Sequence, residues 1–260
     1  VWKKLDIIVC FKQVVEETEI RVDREGGRLI FEGVPTKISD DDRNAIEEAV
    51  RLKQKYGGTI TGITLGSVES RKQVREALAM GCDRAYLILD DSRGTLGYDT
   101  YRTAKILAEA IKKIGKFDLI LCGSLSTDNL AGQVGPMLAE ILGIPQLTYV
   151  KKIEVDGGRI RCERALDEET EVCEAQCPVL ITVTREINEP RVPTLMQVMA
   201  ASKKPLIEWS LKDVLAETPN TIEVVRMEIP RISRKRIIFK EKPAEAVQKL
   251  VEAIKKEGVI

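Results

Sequence analysis

The chain has no histidine among its 260 residues. Its absence removes Ser-His-Asp and Cys-His catalysis, a histidine general base, His-ligated zinc and a His-ligated haem. Net charge is also missing: 41 Lys and Arg balance 41 Asp and Glu, and the pI is near 6.7. Without a basic field, nucleic acid and anionic membrane are poor partners. No run of about 18 apolar residues occurs, and residues 1–4 pass straight into a short apolar segment. Neither a spanning helix nor a signal peptide is expected, and the location expected is the cytoplasm. The six cysteines (Cys10, Cys82, Cys122, Cys162, Cys173 and Cys177) contain no Cys-x-x-Cys pair, a weak basis for disulfides. Amides are scarce, with four Asn and eight Gln against 32% charged residues, a balance that tilts toward a thermophilic source.

What is present is a 43% hydrophobic chain, long enough for one sizeable core and an appendage. Apolar runs at 5–10, 60–65, 85–89, 117–122 and 178–184 are short, rich in Ile, Leu and Val, and bounded by turn or charged residues. They read as buried parallel strands. Helical spacing appears between them at 42–56, 68–80 and 101–114, and again near 137–142. The alternation predicts a Rossmann-like α/β fold, a doubly wound, mostly parallel sheet with helices on both faces; such sheets bind ligands beyond the carboxyl ends of their strands. Two hairpins, 19–22 with 28–31 and 151–155 with 159–163, look decorative or interfacial. Periodicity gives residues after about 186 no place on the sheet. We therefore expect a nucleotide-binding domain over 1–186 and an arm over 187–260, the latter too apolar to be disordered and containing a final helix at 243–256.

The segment from Cys122 to Pro136 leaves one strand and enters a helix, and is rich in small residues. Small residues admit a ligand to the backbone, and the free N–H groups of a helix start favour a phosphate. It is neither Gly-x-Gly-x-x-Gly nor a Walker loop, so an ordinary loop is the competing reading. Two further strand ends, Cys10-Phe11-Lys12-Gln13 and Thr64-Leu65-Gly66, would line the same crevice. Asp99 or Thr100 caps the helix that follows, with a second role at a diphosphate or ribose as the alternative. Asp40-Asp41-Asp42 reads chiefly as the first turn of its helix, where negative charge suits the dipole, and only secondarily as a magnesium site. Cys10 and Cys122 end buried strands and read as reduced, inert thiols. Any redox chemistry would have to come from a cofactor.

Five pieces, in order along nearly the whole chain, resemble the beta subunit of electron transfer flavoprotein. They are residues 7–14 (IIVCFKQV), 44–49 (NAIEEA), 75–83 (REALAMGCD), the loop 128–136, and 188–195 (NEPRVPTL). The resemblance implies a heterodimer with an FAD-binding alpha subunit, embraced by the C-terminal arm. It implies a structural AMP in simple members and a second FAD in electron-bifurcating ones. In the latter, NADH supplies two electrons, one for ferredoxin or flavodoxin and one, through the alpha-subunit FAD, for a quinone-reducing or acyl-CoA dehydrogenase-type partner. No stand-alone catalysis is expected, and membrane association would come only through partner subunits.

The resemblance carries nucleotide contacts onto Cys10, Phe11 and Lys12; Ser39 and Asp42; Thr64, Leu65 and Gly66; and Gly123, Ser126, Asp128, Ala131, Gly132, Gln133 and Val134. Asp99 and Thr100 match a Gly-x-Asp-Thr element of the bifurcating members, which favours FAD over AMP. Leu195 matches the leucine that docks into partner dehydrogenases. Two departures stand out. Many bifurcating members read Asp-Gly-Asp-Thr-Ala-Gln-Val-Gly-Pro where this chain has Leu130 and Ala131 at the polar third and fourth positions, and the common Asn-Pro is Ser39-Asp40. These departures fit a subgroup with membrane-associated partners. The alternatives are an AMP-containing carrier and, more remotely, a nucleotide-binding regulator on a similar domain.

Overall fold

The computed structural model describes residues 4–23, 27–90, 99–215, 221, 222, 225 and 234–259. Two compact units are present, Val1–Met227 and Glu228–Ile260.

The first unit is built on a sheet of nine strands. Its centre consists of β1 (Leu5–Cys10), with β2 to β5 (Gln13–Val15, Arg21–Asp23, Arg28–Ile30 and Thr36–Ile38) forming two small side ribbons, then β6 (Gly58–Gly66), β7 (Arg84–Leu89) and β8 (Leu119–Gly123). The remaining strands are β9 (Gln146–Asp156), β10 (Arg159–Ala165), β11 (Thr170–Gln176), β12 (Val179–Val183) and β13 (Leu206–Ser210). In space the order is β11-β10-β9-β12-β8-β1-β6-β7-β13. From β9 to β13 the pairing is parallel, whereas β10 runs antiparallel to both its neighbours. The expected α/β class is therefore correct, with an antiparallel extension at one edge.

Strand alternation sends Ile7, Val9, Leu119 and Leu121 to one face and Ile8, Cys10, Ile120 and Cys122 to the other. Helices α1 (Asp40–Tyr56) and α2 (Arg71–Met80) cover the first face; α3 (Thr100–Ile114) and α4 (Val134–Leu142) cover the second. Each helix buries the stripe its 3.6-residue period predicts: Ala45, Ile46, Ala49 and Val50 on α1, and Ala104, Leu107, Ala108 and Ile111 on α3. Helix α1 opens on three aspartates and closes on Lys53 and Lys55, both complementary to its dipole.

Three elements depart from the sequence expectation. The hairpin at 151–155 and 159–163 is not decorative: β9 and β10 belong to the main sheet and, with β11, extend it by three strands. Strand β11, sequence TEVCEAQ, is a mostly exposed edge and lacks the apolar run that marks buried strands. In the segment given no place on the sheet, β13 adds a parallel strand beside β7, and α5 (Leu195–Ala201) and α6 (Leu211–Val214) flank it. Trp209 of β13 stacks against Tyr86 at 4.6 Å between centroids. The second unit carries α7 (Pro243–Lys256), which starts with Pro at its first turn and buries no residue.

Candidate functional site

After β1 the chain builds outward through β6 and β7, then crosses back to β8 on the other side of β1. A crevice must open where the direction reverses, at the carboxyl ends of β1 and β8. There the structure has an open cleft of about 810 Å³, part of it solvent.

Its rim is fastened by the acidic triplet. Asp42 accepts the backbone N–H of Lys12 at 2.8 Å and that of Gly123 at 2.8 Å, one on each oxygen, and so ties the two strand ends together. Burial pushes its carboxyl up to about 7, against the lowering effect of the two N–H donors. Asp41 accepts from Ser124 Oγ at 2.6 Å, Leu125 N at 3.3 Å and Arg185 Nε at 2.9 Å. The triplet is thus the first turn of α1, as expected, and also a clamp on the loops around the cleft. Among the described residues no group of three or more His, Cys, Asp or Glu could hold a metal.

Lys12 reaches across to Asp128 at 2.7 Å and Ser126 Oγ at 3.4 Å. Ser39 Oγ accepts from Thr127 N at 3.2 Å, holding the loop to the start of α1. Beyond these ties the backbone turns through Leu130 and Gly132, at φ 53° and 62°, into α4. A Cβ on Gly132 would lie 3.2 Å from Leu125 Cδ2 and 3.4 Å from the Tyr149 hydroxyl, so both conformation and space call for glycine. Gly135 lets α4 approach the sheet, since a Cβ there would meet Thr182 at 2.6 Å. The N–H groups of Ala131, Gly132, Gln133, Val134 and Gly135 find no acceptor among the described residues. On the opposite wall Thr100 Oγ1 donates to Gln133 Oε1 at 2.8 Å.

Of the seventeen nucleotide-contact residues named from sequence, twelve line this cleft: Cys10, Phe11, Lys12, Asp42, Leu65, Thr100, Gly123, Ser126, Ala131, Gly132, Gln133 and Val134. The other five lie behind it. Ser39 and Asp128 brace the rim. Leu65 faces the α3 and α4 side, and alternation turns Thr64 and Gly66 to the other face. Asp99 caps α3, accepting Arg102 N at 2.9 Å, and its second oxygen accepts the backbone N–H and the hydroxyl of Thr221. Its carboxyl is lowered: burial raises it, and the N–H donors outweigh burial. Gly97 and Tyr98, the first half of the Gly-x-Asp-Thr element, lie outside the described residues. Cys10 and Cys122 are buried thiols in the cleft floor, as expected, and burial raises both.

Sequence reasoning missed Leu107 and Leu138, whose helical setting marks them only as core, and Thr103, a polar residue outside the apolar stripe of α3. It also missed Tyr149. The β9–β12 register shifts between Ile181 and Val183, a bulge at which Tyr149 takes φ 56° and donates its N–H to Thr182 Oγ1 at 3.0 Å. Bulges re-aim side chains, and this one brings the phenol beside Gly132.

A family model described as "Electron transfer flavoprotein domain" matches residues 27–214. The electron transfer flavoprotein subunit beta of Thermoanaerobacterium thermosaccharolyticum is 41% identical over 98% of this chain and 100% of its own length. This chain belongs to the electron transfer flavoprotein beta-subunit family. Similar relatives include the caffeyl-CoA reductase-Etf complex subunit CarD of Acetobacterium woodii, 38% identical over 80% of this chain and 79% of CarD. Protein FixA of Bradyrhizobium diazoefficiens is 34% identical over 95% and 90%.

A beta subunit works in a complex with an alpha subunit, and this one presents an exposed apolar helix. Leu195 is 76% exposed and opens α5, with Val192, Met196 and Met199 exposed beside it. Thr194 and Gln197 form a capping box that fixes this helix start. The preceding segment is pinned to α1: Asn44 Nδ2 donates to Asn188 O at 2.6 Å, and Arg191 Nε meets Glu47 at 2.6 Å. No described helix is long and apolar enough to cross a membrane.

Proposed function

We propose that this beta subunit binds FAD in the β1–β8 cleft and serves an electron-bifurcating flavoprotein fed by NADH. The observation that carries the reading is the row of five N–H groups, from Ala131 to Gly135, left without acceptors among the described residues at the start of α4. Such a row is a ready anion site, and the residues present fit a nucleotide phosphate. Gly132 and Gly123 keep the backbone bare, Lys12 supplies a cation at the rim, and the buried wall of Cys10, Leu65, Leu107 and Leu138 shields the interior from water. Thr100 and Gln133 add hydrogen-bonding groups farther along the cleft, where a diphosphate or ribityl chain would extend. When bound, the flavin would supply the two-electron and one-electron chemistry that the side chains lining the cleft do not. The acceptors proposed are ferredoxin or flavodoxin on one branch and, through the alpha-subunit FAD, a quinone-reducing or acyl-CoA-type partner on the other. CarD, a relative from a caffeyl-CoA reductase complex, supports the second branch. Exposed Leu195 would dock that partner.

A second reading, a structural AMP, is favoured by a specific observation. Asp99, the acid that distinguishes the FAD-binding pattern, spends both oxygens on the α3 start and Thr221 instead of facing the cleft. Co-expression with the alpha subunit, denaturation, and chromatography of the released nucleotides separate the two. Two FAD per heterodimer and no AMP is the expected result; one FAD with one AMP replaces bifurcation with simple electron shuttling, and no nucleotide beyond the alpha-subunit FAD refutes the site.

A further inference from the structure

We propose that Cys162 and Cys173 form a reversible disulfide, a redox staple across the last two strands of the sheet. The two residues are direct partners in the β10–β11 antiparallel ladder. Directly opposed residues in such a ladder place their Cα atoms about 4.5 or 5.5 Å apart, with side chains on one face. Both spacings lie within the roughly 4.4–6.8 Å that a disulfide spans. Opposed Cβ atoms stand about 4.5–5.5 Å apart and a disulfide needs about 3.5–4.5 Å, so the pair must close by up to about 1 Å. Among the described residues β11 is the sheet's edge strand, with a neighbour on one side only, and is the element best able to make that movement. Cys162 is buried against Ile153 of β9, and Cys173 is half-buried and open to small oxidants. Burial, and next the Cys173 sulfur, push the Cys162 thiol up to about 12, in keeping with two sulfurs in proximity.

The geometry selects one pairing on this edge. Cys177 stands four residues along from Cys173, about 13 Å in extended chain, well beyond the roughly 7 Å limit for Cα atoms. Cys10, Cys82 and Cys122 lie in or beside other strands. The oxidant is a hydroperoxide. The Cys173 sulfur takes the terminal oxygen of hydrogen peroxide, becoming a sulfenic acid and releasing one water. The Cys162 sulfur then forms the S–S bond, and the hydroxyl leaves with the Cys162 proton as a second water. Two thiols and one peroxide become one disulfide and two waters; two electrons leave the sulfurs and reduce the peroxide.

The test uses the full chain, reduced and then exposed to hydrogen peroxide, with thiols counted after denaturation and disulfides mapped by unreduced peptide mass spectrometry. Six titratable thiols should fall to four with a mass loss of about 2 Da, and dithiothreitol should restore six. Cys173→Ser should abolish the linkage and Cys177→Ser should retain it. Persistence of six thiols, or a bond mapped to Cys10–Cys122 or to Cys177, overturns the proposal.

Discussion

Asp42 is the most consequential ionisable group in the cleft, and its behaviour with pH can be worked out. Its carboxyl titrates at about 7 in the folded chain against an ordinary value of 3.8. A raised carboxyl binds its proton more tightly folded than unfolded, so its contribution is fullest below pH 4 and is lost as pH climbs toward 7. Between pH 5 and pH 7.5 the linkage removes about 2.5 kcal/mol, at roughly 1.4 kcal/mol per unit of pKa difference. Asp42→Asn keeps the size and removes the titration, at the cost of facing one N–H donor, of Lys12 or Gly123, with an amide N–H₂. That mismatch destabilises by roughly 1–3 kcal/mol at every pH. Wild type should therefore lead the variant clearly at pH 5, and the lead should shrink by about 2.5 kcal/mol at pH 7.5. Urea unfolding followed by Trp209 fluorescence reads the gap as a midpoint change of about 1 M, for a slope of roughly 2–3 kcal/mol/M. A gap that stays constant, or widens with pH, would mean that Asp42 is ionised throughout and that the two N–H donors outweigh burial.

Three further substitutions probe separate parts of the site. Gly132→Ala places a Cβ on a residue at φ 62° and within 3.2 Å of Leu125, so it should cost about 1–2 kcal/mol and lower nucleotide retention after gel filtration; full retention refutes the cradle. Asp99→Ala removes the α3 cap and should lower stability by about 1 kcal/mol in thermal unfolding. Its nucleotide content should stay at the wild-type level, and selective loss of the beta-subunit nucleotide would show that Asp99 reaches the ligand after all. Leu195→Ala should slow electron transfer to a docked dehydrogenase at unchanged flavin content, and an unaltered rate removes α5 from the docking surface.

The centre of the fold was legible because buried parallel strands announce themselves: 5–10, 60–65 and 117–122 are apolar along their length, and the helices between them repeat at 3.6 residues. What escaped was amphipathic or short. Strand β11 alternates over one half-buried face, and β13 is five residues long and follows 22 residues of loop and helix. The cleft was legible as small residues at strand ends, and twelve of the named positions line it. Thr64 and Gly66 fall outside the cleft lining because the two-residue period of β6 turns Leu65 alone of the three toward it. Tyr149 had no local signal at all, because a bulge created by the β9–β12 register is a property of pairing and not of the segment itself.

Helix α1 explains why the proposed nucleotide cleft and the exposed segment at Leu195 occur on one chain at fixed separation. Its first turn holds the cleft: Asp41 and Asp42 bind the ends of β1 and β8 through Lys12, Gly123, Ser124 and Leu125. One turn later its other side holds the segment that leads to Leu195, through Asn44 with Asn188 and Glu47 with Arg191. Arg51 Nη2 adds a bond to Glu189 O at 3.3 Å. Glu47 is almost fully buried and shared between Arg51 and Arg191, and these charge-assisted bonds leave the connection little freedom. Removing Arg191 would leave buried Glu47 to Arg51 alone and untie the segment from α1, so the expected damage is to the orientation of α5 and not to the cleft. The Asn-Glu-Pro-Arg segment, seen in sequence only as a family likeness, is in physical terms the strap that ties the start of α5, and with it the proposed docking residue Leu195, to the helix that fastens the cleft rim.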